Sequence, residues 1–519
     1  MSLATVDVAH TAPPSPFAPI DLTDRAQVAA VMDIAARIGD ILLSSGTSNA
    51  DTKVQMRAVT SAYGLYWCHS DITMNNITIF AQIGTVQKQP VTVFRVVRAL
   101  TTDFSKLSAV DRLIRSIQDG TTPPEAAEKA LDELEPKRGV YGPLTAVFGW
   151  GLLGGAVAIM LGGSWLVGLI AFITSMLIMG VGKLLNWYGL PYFFQCVAGG
   201  VIATIPAAVV WALVENHAAE MRPSQIVASG IIVLLAGLTL VQSIQDAITG
   251  APVTAGAHFF ETLLFTGAII AGVGIGLQLA DLVSVDLPPL ESVATRNPQT
   301  FPVRVIAAAL TVMGFAIGSY AEWSAVALSG LVGAFGAAMY HGMVMFLGIG
   351  DVTASSLAAV AIGLTGGLLA RRFRVPPLIS AIAGITPLLP GLAVYRGMYA
   401  AMSDQMLLGF TNIVRALAIA CGLAAGLVLG EWIARRIRRP HVFRPYRALR
   451  RAGRVTFAQA KRAAARRDAR IAAEARAVRP RQRWRGRTAR ASAAMRASRR
   501  AAARLAWAKV TRPARRRAR

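Results

Sequence analysis

The sequence predicts a polytopic α-helical membrane protein with about ten transmembrane helices, arranged as a 5+5 inverted repeat and preceded by an N-terminal soluble α+β domain. Three observations support this fold class. Only 16% of the 519 residues are charged and the mean hydropathy is +0.49, whereas about 25% of the residues of a soluble protein are charged. Long apolar stretches fill the centre of the chain. One of them recurs 154 residues later.

The basic charge of the chain is confined to its C-terminal end. Residues 435–519 carry 31 Lys and Arg against two acids, a net of +29, which leaves −4 for residues 1–434 out of the formal total of +25. Composition and charge together predict five regions: a disordered leader, a cytoplasmic soluble α+β domain, two five-helix membrane units and a disordered Arg/Ala-rich tail. These regions cover residues 1–21, 22–140, 141–282, 283–434 and 435–519.

The soluble region shows the local signals of a small α+β domain. Asp24 is placed to cap a first helix with one apolar face, and Gly46 follows that helix as a stop signal. Alternating apolar residues indicate strands, with a turn or bulge at Asn75-Asn76, and Pro123-Pro124 opens the last helix. The expected elements are helices over 28–42, 50–63, 107–117 and 124–134, and strands within 65–83 and over 91–97.

Ten stretches of the central region are long enough to cross a membrane. A helix needs roughly 20 apolar residues to span the hydrocarbon core, and residues 143–182, 184–214, 223–245 and 262–280 contain no charged residue. Glycines within these stretches permit close helix packing. The predicted spans are 143–162, 164–182, 190–213, 224–244, 258–280, 302–320, 323–340, 352–370, 376–399 and 406–433.

The charges between the spans predict the orientation. Ten spans place both termini on one side, and basic loops face the cytoplasm. With that side inside, the inner loops carry Lys137, Arg138, Lys183, Arg371, Arg372 and Arg374. The outer loops carry mostly acids, namely Glu215, Glu220, Asp281, Asp286, Glu291, Asp351 and Asp404. We therefore expect the N and C termini to be cytoplasmic.

The fourth and ninth spans contain an internal repeat. Residues 229–238 read SGIIVLLAGL and residues 383–392 read AGITPLLPGL, with six identities at an offset of 154 that include Gly237 and Gly391. Because each unit has five spans, the second copy must enter the membrane in the opposite direction. Inverted repeats of this kind build many secondary transporters, whose substrate site lies where the repeats meet.

The ninth span also contains helix-breaking residues. Pro376-Pro377 begins it, and Pro387 and Pro390-Gly391 interrupt it. Interior prolines free backbone carbonyls that protein or water must satisfy, so such helices often line a cavity. We expect a discontinuous helix here. A simple proline kink between packed helices is the alternative.

Polar residues inside the apolar region are candidates for a translocation site, because an ionisable group at membrane depth is costly. Glu261 or Asp246, with a basic partner, could carry protons or bind an ammonium group, and Arg396 or Arg415 could meet a carboxylate. Interfacial snorkelling is the alternative for Glu261, Arg396 and Asp246, and a structural ion pair inside the bundle for Arg415. The full candidate set is Gly237, Gln242, Asp246, Glu261, Pro387, Pro390, Gly391, Tyr395, Arg396, Asn412 and Arg415.

The sequence argues against an enzyme, a cofactor and a metal site. The three cysteines are widely spaced, which excludes a disulfide framework and a Cys-rich zinc site. A hydrolase using residues 68–71 (CHSD) is disfavoured because adjacent strand residues Cys68 and His69 point to opposite faces. No nucleotide-binding motif occurs, which argues against an ATP-driven pump.

The basic tail directly follows the last span. Polybasic sequence in that position most simply binds anionic lipid, at about 1 kcal/mol per residue near the surface. Nucleic acid is the less favoured partner, since Trp484 and Trp507 are isolated and base stacking needs interleaved aromatic residues.

Residues 25–435 resemble the threonine/serine exporter family. The soluble region carries LLSSGTSNAD, RAVTSAYGL, ITIFAQIG, LSAVDRLIRSIQDG and PPEAAEKALDEL; the membrane units carry SGIIVLLAGLTLVQSIQDAITG and PPLISAIAGITPLLPGLAVYRGM. The resemblance implies export of threonine and serine across the bacterial cytoplasmic membrane, driven by the proton motive force. The chain departs from the family in having Ala236, not proline, before Gly237, which argues against a kink there.

A second interpretation stays open, in which the chain is a membrane channel or a sensor whose soluble domain binds a ligand. The oligomeric state, including a homo-oligomer, also stays open, as do the substrate range and the role of the soluble domain.

Overall fold

The computed structural model describes residues 24–65, 68–83, 89–97, 103–119, 121–134, 139–213, 223–234, 236–282, 285, 298–402 and 405–437, together with 495 and 498. The predicted disordered leader and nearly all of the basic tail lie outside these residues, as do the charged loop residues Lys137, Arg138, Glu215, Glu220, Asp286, Glu291 and Asp404.

Within residues 24–134, here called the N-terminal segment, the described residues form four helices and a three-stranded sheet. The strands β1, β2 and β3 are antiparallel in sequence order, and Thr73 pairs with Asn76 across a two-residue turn. The turn lies at Met74-Asn75, one residue earlier than predicted, and Met74 adopts a positive φ of 51°. The elements are α1 (Arg25–Ser44), α2 (Asn49–Ala62), β1 (His69–Thr73), β2 (Asn76–Ile83), β3 (Gln89–Val96), α3 (Phe104–Gln118) and α4 (Pro124–Leu134).

Local capping explains where these helices begin. The side chain of Asp24 accepts a hydrogen bond from the Ala26 backbone N–H at 2.9 Å, as predicted. Ser48 and Asp103 act in the same way for α2 and α3. One face of the sheet, with Ile72, Ile77 and Ile79, is buried against the helices.

The remaining helices form a bundle of two consecutive groups, here called the first and second helix sets. The first set contains α5 (Pro143–Met160), α6 (Trp165–Trp187), α7 (Tyr192–Leu213), α8 (Pro223–Val233), α9 (Ala236–Ile248) and α10 (Pro252–Asp281). The second set contains α11 (Phe301–Gly318), α12 (Trp323–Phe346), α13 (Asp351–Phe373), α14 (Pro377–Ile385), α15 (Gly391–Met402) and α16 (Met406–Ile437), with short 3₁₀ turns at Pro298–Thr300 and Thr386–Leu388.

Eight described helices are long and apolar enough to cross a membrane. The count rises to nine if α8 and α9 are one bent span, and α14 with its 3₁₀ turn is a shorter apolar helix. The prediction of a membrane protein with many spans is therefore confirmed. The predicted spans 224–244 and 376–399 are each broken into two helices. The predicted fifth span, 258–280, lies within the longer helix α10, which begins at Pro252.

The two helix sets pack in the same way. In the first set α5 packs on α6 and α7 packs on α10; in the second, α11 packs on α12 and α13 on α16. Glycines permit the closest of these approaches. A Cβ on Gly200 would lie 3.0 Å from Gly272 Cα, and a Cβ on Gly430 would lie 3.1 Å from Gly363 Cα.

The N-terminal segment packs on one end of the bundle, here called the near end. The Phe104 backbone N–H donates to Ser319 O at 2.9 Å, and the Phe104 ring contacts the Phe315 ring edge-on. Arg112 forms an ion pair with Glu322 at 2.8 Å. These contacts place the α11–α12 connection at the near end.

Candidate functional site

The ninth predicted span is a discontinuous helix. α14 ends at Ile385, a 3₁₀ turn covers Thr386–Leu388, Leu389 is extended (φ −62°, ψ 136°) and α15 begins at Gly391. Pro387 and Pro390 lie in this break and have no N–H to continue the helical hydrogen bonds. Thr386 Oγ1 donates to Ile382 O at 3.2 Å and satisfies one of the freed carbonyls. The simple-kink alternative is therefore wrong.

The fourth predicted span is also broken, contrary to the expectation drawn from Ala236. The axes of its two halves, α8 and α9, differ by 45°. The last turn of α8 tightens, with the Leu234 N–H donating to Ile231 O at 3.1 Å. No proline is present at this bend; Gly237, three residues after Leu234, packs against Gly391 of the second break.

The two breaks meet each other at a pair of glycines. A Cβ on Gly237 would lie 2.8 Å from Gly391 N and 3.2 Å from Leu389 Cβ, closer than side chains tolerate. Gly237 and Gly391 are the residues that the sequence repeat aligned at an offset of 154. The structure thus brings equivalent positions of the repeat into direct backbone contact.

Asp246 lies between this crossing and the N-terminal segment, and it is buried, with 5% of its surface exposed. Its Oδ2 lies 3.3 Å from His258 Nδ1, and its Oδ1 accepts from the Asn49 backbone N–H at 3.4 Å. The snorkelling alternative is therefore wrong for Asp246, since protein groups surround the carboxylate. A buried carboxylate beside an imidazole can take up a proton or hold an ammonium group.

Hydroxyl and amide groups extend the polar surface along α9 and α10. Thr262 Oγ1 donates to Thr239 Oγ1 at 2.9 Å, and Ser243 Oγ donates to Ala255 O at 2.8 Å. Gln242 lies one turn before Asp246 and faces Gly46, whose Cβ position would be 3.2 Å from Gln242 Nε2. These contacts place a strip of hydroxyl and amide groups along α9 and α10, and the Thr262 and Ser243 side chains are themselves buried, with 1% and 3% of their surface exposed.

Glu261 and Arg396 are both partly buried, but they are not direct partners of Asp246 in the described contacts. Glu261 lies on α10, three residues after His258. α15 runs from the crossing toward the end of the bundle opposite the near end, whereas α9 runs toward the near end. Arg396 is five residues after Gly391 and Asp246 is nine residues after Gly237. Because a helix rises about 1.5 Å per residue, the two residues lie on opposite sides of the crossing. Tyr395 precedes Arg396 in α15 and lies on the same side of the crossing. Its side chain is outside the described parts of the structure.

Arg415 and Asn412 lie away from the crossing. Arg415 forms an ion pair with Asp351, but 48% of its side chain is exposed, so this pair is on the bundle surface and not in the interior as expected. Asn412 Nδ2 donates to Leu408 O of its own helix at 3.0 Å. Neither side chain contacts the polar strip of α9 and α10 in the described contacts.

Sequence reasoning missed a second charged group at the near end. Arg435 Nη1 lies 2.9 Å from Asp51 Oδ1, and Arg435 Nη2 lies 3.8 Å from Glu431 Oε2. Glu431 is 8% exposed. The position of Glu431 within the last apolar stretch of the sequence indicated a buried charge, which is energetically unfavourable in a membrane helix. Nothing in the sequence indicated the pairing of Asp51 with Arg435.

Cys68 has the properties of a structural thiol. It is buried, and this burial raises the pKa of the thiol to about 11, while the neighbouring His69 is exposed on the other face of the strand. A thiol that stays protonated is a poor nucleophile. Within the described ranges, His, Cys, Asp and Glu side chains form no group of three or more that could hold a metal ion.

An apolar bundle in which two broken helices cross, with a buried carboxylate further along one of them, is the architecture of a membrane transport protein. The family comparison agrees. A family model described as "Putative threonine/serine exporter" matches residues 33–280, and one described as "Threonine/Serine exporter, ThrE" matches residues 304–433. The chain belongs to the threonine/serine exporter family.

Two curated relatives show how far the similarity extends. The chain is 62% identical over 456 residues to the "Threonine/serine exporter" of Corynebacterium glutamicum, which covers 88% of this chain and 93% of that relative. It is 37% identical over 414 residues to the "Probable threonine/serine exporter" of Mycobacterium tuberculosis (strain ATCC 25618 / H37Rv), covering 79% of this chain and 77% of that relative. No solved structure matches the chain.

Proposed function

We propose that this protein is a secondary active exporter of threonine and serine in the bacterial cytoplasmic membrane, coupled to the proton motive force. The observation that carries the proposal is the crossing of two broken helices at Gly237 and Gly391, with the buried carboxylate of Asp246 nine residues further along α9. The names of both curated relatives support the substrates.

The architecture proposed for this transporter is a 5+5 inverted repeat that follows a soluble N-terminal domain. The equivalent packing of the two helix sets supports it, as does the contact of Gly237 with Gly391. Because an odd number of spans inverts the second unit, each break faces the other across a pseudo-twofold axis. The domain boundaries proposed for this scheme are residues 22–140, 141–282 and 283–434.

The near end of the bundle is proposed to face the cytoplasm, with both termini on that side. Its basic residues support this orientation, and they include Lys183, Arg372, Arg374, Arg435 and Arg436. The opposite end carries Asp281 and Asp351. A basic tail on the cytoplasmic side would bind anionic lipid.

The proposed chemistry uses groups on both sides of the crossing. Asp246, with His258 beside it and Glu261 nearby, exchanges the coupling proton or holds the ammonium group of the amino acid. Arg396 receives the carboxylate as the substrate passes the crossing. The threonine or serine hydroxyl meets the amide and hydroxyl groups of Gln242, Thr239 and Thr262.

An efflux assay tests the substrates. Cells that lack their own threonine and serine exporters accumulate threonine when they are fed threonine dipeptides, and we expect this protein to restore efflux. Asp246→Asn should abolish the rescue, whereas the matched variant Glu322→Gln, away from the crossing, should retain it. If cells with correctly inserted protein exported threonine and serine no faster than cells without it, the substrate assignment would be overturned.

Reconstituted vesicles separate a transporter from a channel. A proton-coupled antiporter moves threonine against its gradient when a pH difference is imposed, and an uncoupler stops it. Movement down the threonine gradient alone, unaffected by the uncoupler, would instead support the channel interpretation.

A further inference from the structure

The first turn of α2 inserts into the near end of the bundle at the candidate site. Asn49 makes two contacts there: its backbone N–H donates to Asp246 Oδ1 at 3.4 Å, and its side-chain Nδ2 donates to Thr254 Oγ1 at 2.8 Å. The Met74 N–H, from the β1–β2 turn, donates to the same hydroxyl at 3.1 Å. Asn49 and Thr254 are both buried. The N-terminal segment thus closes over the site through specific polar contacts.

The same turn of α2 also holds the second helix set. Asp51, two residues after Asn49, pairs with Arg435 at the end of α16 at 2.9 Å. Asn49 contacts α9 and α10 of the first set. A change in the relative position of the two sets at the near end must therefore break or strain one of these contacts.

The contact between Asn49 and Asp246 depends on the charge of the carboxylate. The Asn49 N–H lies at the first position of α2, where backbone donors have no partner in the helix and the helix dipole favours a negative charge. An ionised carboxylate is the stronger acceptor. A proton on Asp246, or an ammonium group beside it, removes the net charge that this helix end attracts.

We propose that the N-terminal segment is the cytoplasmic gate of the transport path, and that Asn49 is a positioning residue that holds the gate shut through Asp246. The gate stays closed while the Asp246 carboxylate is ionised, and it opens toward the cytoplasm when the coupling proton neutralises that charge. In an antiporter, this arrangement lets cargo enter from the cytoplasm only after the coupling proton has bound. The inference rests on the proposed export function.

Several other charged groups face this contact from the neighbouring elements. His258 and Glu261 lie on α10, Asp51 lies on α2, and Glu431 and Arg435 lie on α16. Because a change of pH would alter the charge of several groups at once, the test neutralises Asp246 by substitution at a fixed pH.

Accessibility of position 242 reports the gate directly. Cys68, Cys196 and Cys421 are replaced by alanine, and Gln242→Cys, which faces Gly46, supplies the single thiol. Inside-out membrane vesicles are treated with a membrane-impermeant maleimide, and the labelling rate is compared with total labelling after denaturation. We expect Asp246→Asn to raise the rate about fivefold or more, because an amide oxygen is a weaker acceptor than a carboxylate and carries no net charge for this helix end to attract.

A matched pair at position 49 isolates the backbone donor. Asn49→Pro removes both the N–H and the amide, and a helix accepts proline at its first position. Ser48 is already extended (φ −60°, ψ 151°), as the residue before a proline must be. Asn49→Ala removes only the amide. We expect Asn49→Pro to raise labelling about as much as Asp246→Asn, and Asn49→Ala to raise it less.

Two comparisons distinguish a positioning role from general loosening. The double variant Asn49→Pro/Asp246→Asn should label no faster than either single variant, since both act on one contact. Glu322→Gln removes the charge from another contact between the N-terminal segment and the bundle, the pair of Arg112 with Glu322, and should leave the rate unchanged. Additive effects, or an equal increase in Glu322→Gln, would overturn the proposal.

The labelling result is independent of the substrate. If labelling responds as expected but neither threonine nor serine is exported, the gate stands and the substrate assignment fails. If export is normal but the rate at position 242 is the same in every variant, the gate proposal fails and the proposed function stands.

Discussion

Gly237 and Gly391 contact each other asymmetrically. A Cβ on Gly237 would meet the Gly391 nitrogen at 2.8 Å, whereas a Cβ on Gly391 would find the Gly237 nitrogen at 3.6 Å. The first distance requires a backbone shift, and the second is an ordinary van der Waals contact. Only one side of this crossing therefore depends strictly on glycine.

The asymmetry predicts different results for the same substitution. Gly237→Ala should reduce threonine efflux at least about tenfold, because over-packing a tight contact costs about 1–3 kcal/mol. Gly391→Ala should retain most of the activity. Efflux is measured in cells with equal amounts of each variant in the membrane, and equal loss in both would contradict this geometry.

Proline 390 is expected to be needed for transport but not for insertion. Pro390→Ala restores a backbone N–H and removes the ring that opposes helix continuation, so α14 and α15 could join across the break. We expect efflux to be lost while the amount in the membrane is unchanged. Pro206→Ala is the control, because Pro206 lies inside the single helix α7. If Pro390→Ala kept full activity, the break in the helix would not be required for transport.

The pair of Arg415 with Asp351 should contribute to stability and not to transport. Arg415 is half exposed, and exposed pairs contribute about 0–1 kcal/mol. Arg415→Gln should retain efflux and lower the melting temperature of the purified protein only slightly. The exchanged pair Asp351→Arg/Arg415→Asp should melt at a higher temperature than Arg415→Asp alone. If Arg415→Gln lost efflux while its amount in the membrane was normal, Arg415 would belong to the transport path of the substrate.

Cys68 and His69 should be dispensable for transport. Burial raises the pKa of the Cys68 thiol to about 11, so the thiol is protonated at neutral pH and does not act as a nucleophile. Cys68→Ala and His69→Ala are each expected to retain threonine efflux. A loss of efflux in both variants, with normal amounts of protein, would revive the hydrolase hypothesis.

The sequence by itself determined the class of fold and most of the local structure. Apolar stretches with few charges identified the spans, and capping residues and alternation located the helices and strands of the N-terminal segment, because these signals depend on neighbours in the chain. The break at Pro387 and Pro390 was predictable for the same reason, since proline acts on its own backbone.

Only the tertiary structure decided how distant residues meet. The bend before Gly237 has no proline to signal it, and Gly237 contacts Gly391 of the second helix set. The burial of Asp246 depends on Asn49, 197 positions away in the chain, and Arg415 proved to lie on the surface because its helix turns that side away from the crossing. Hydropathy and spacing record which residues prefer an apolar environment. They do not record which polar groups from separate elements share one contact, because that depends on packing between elements.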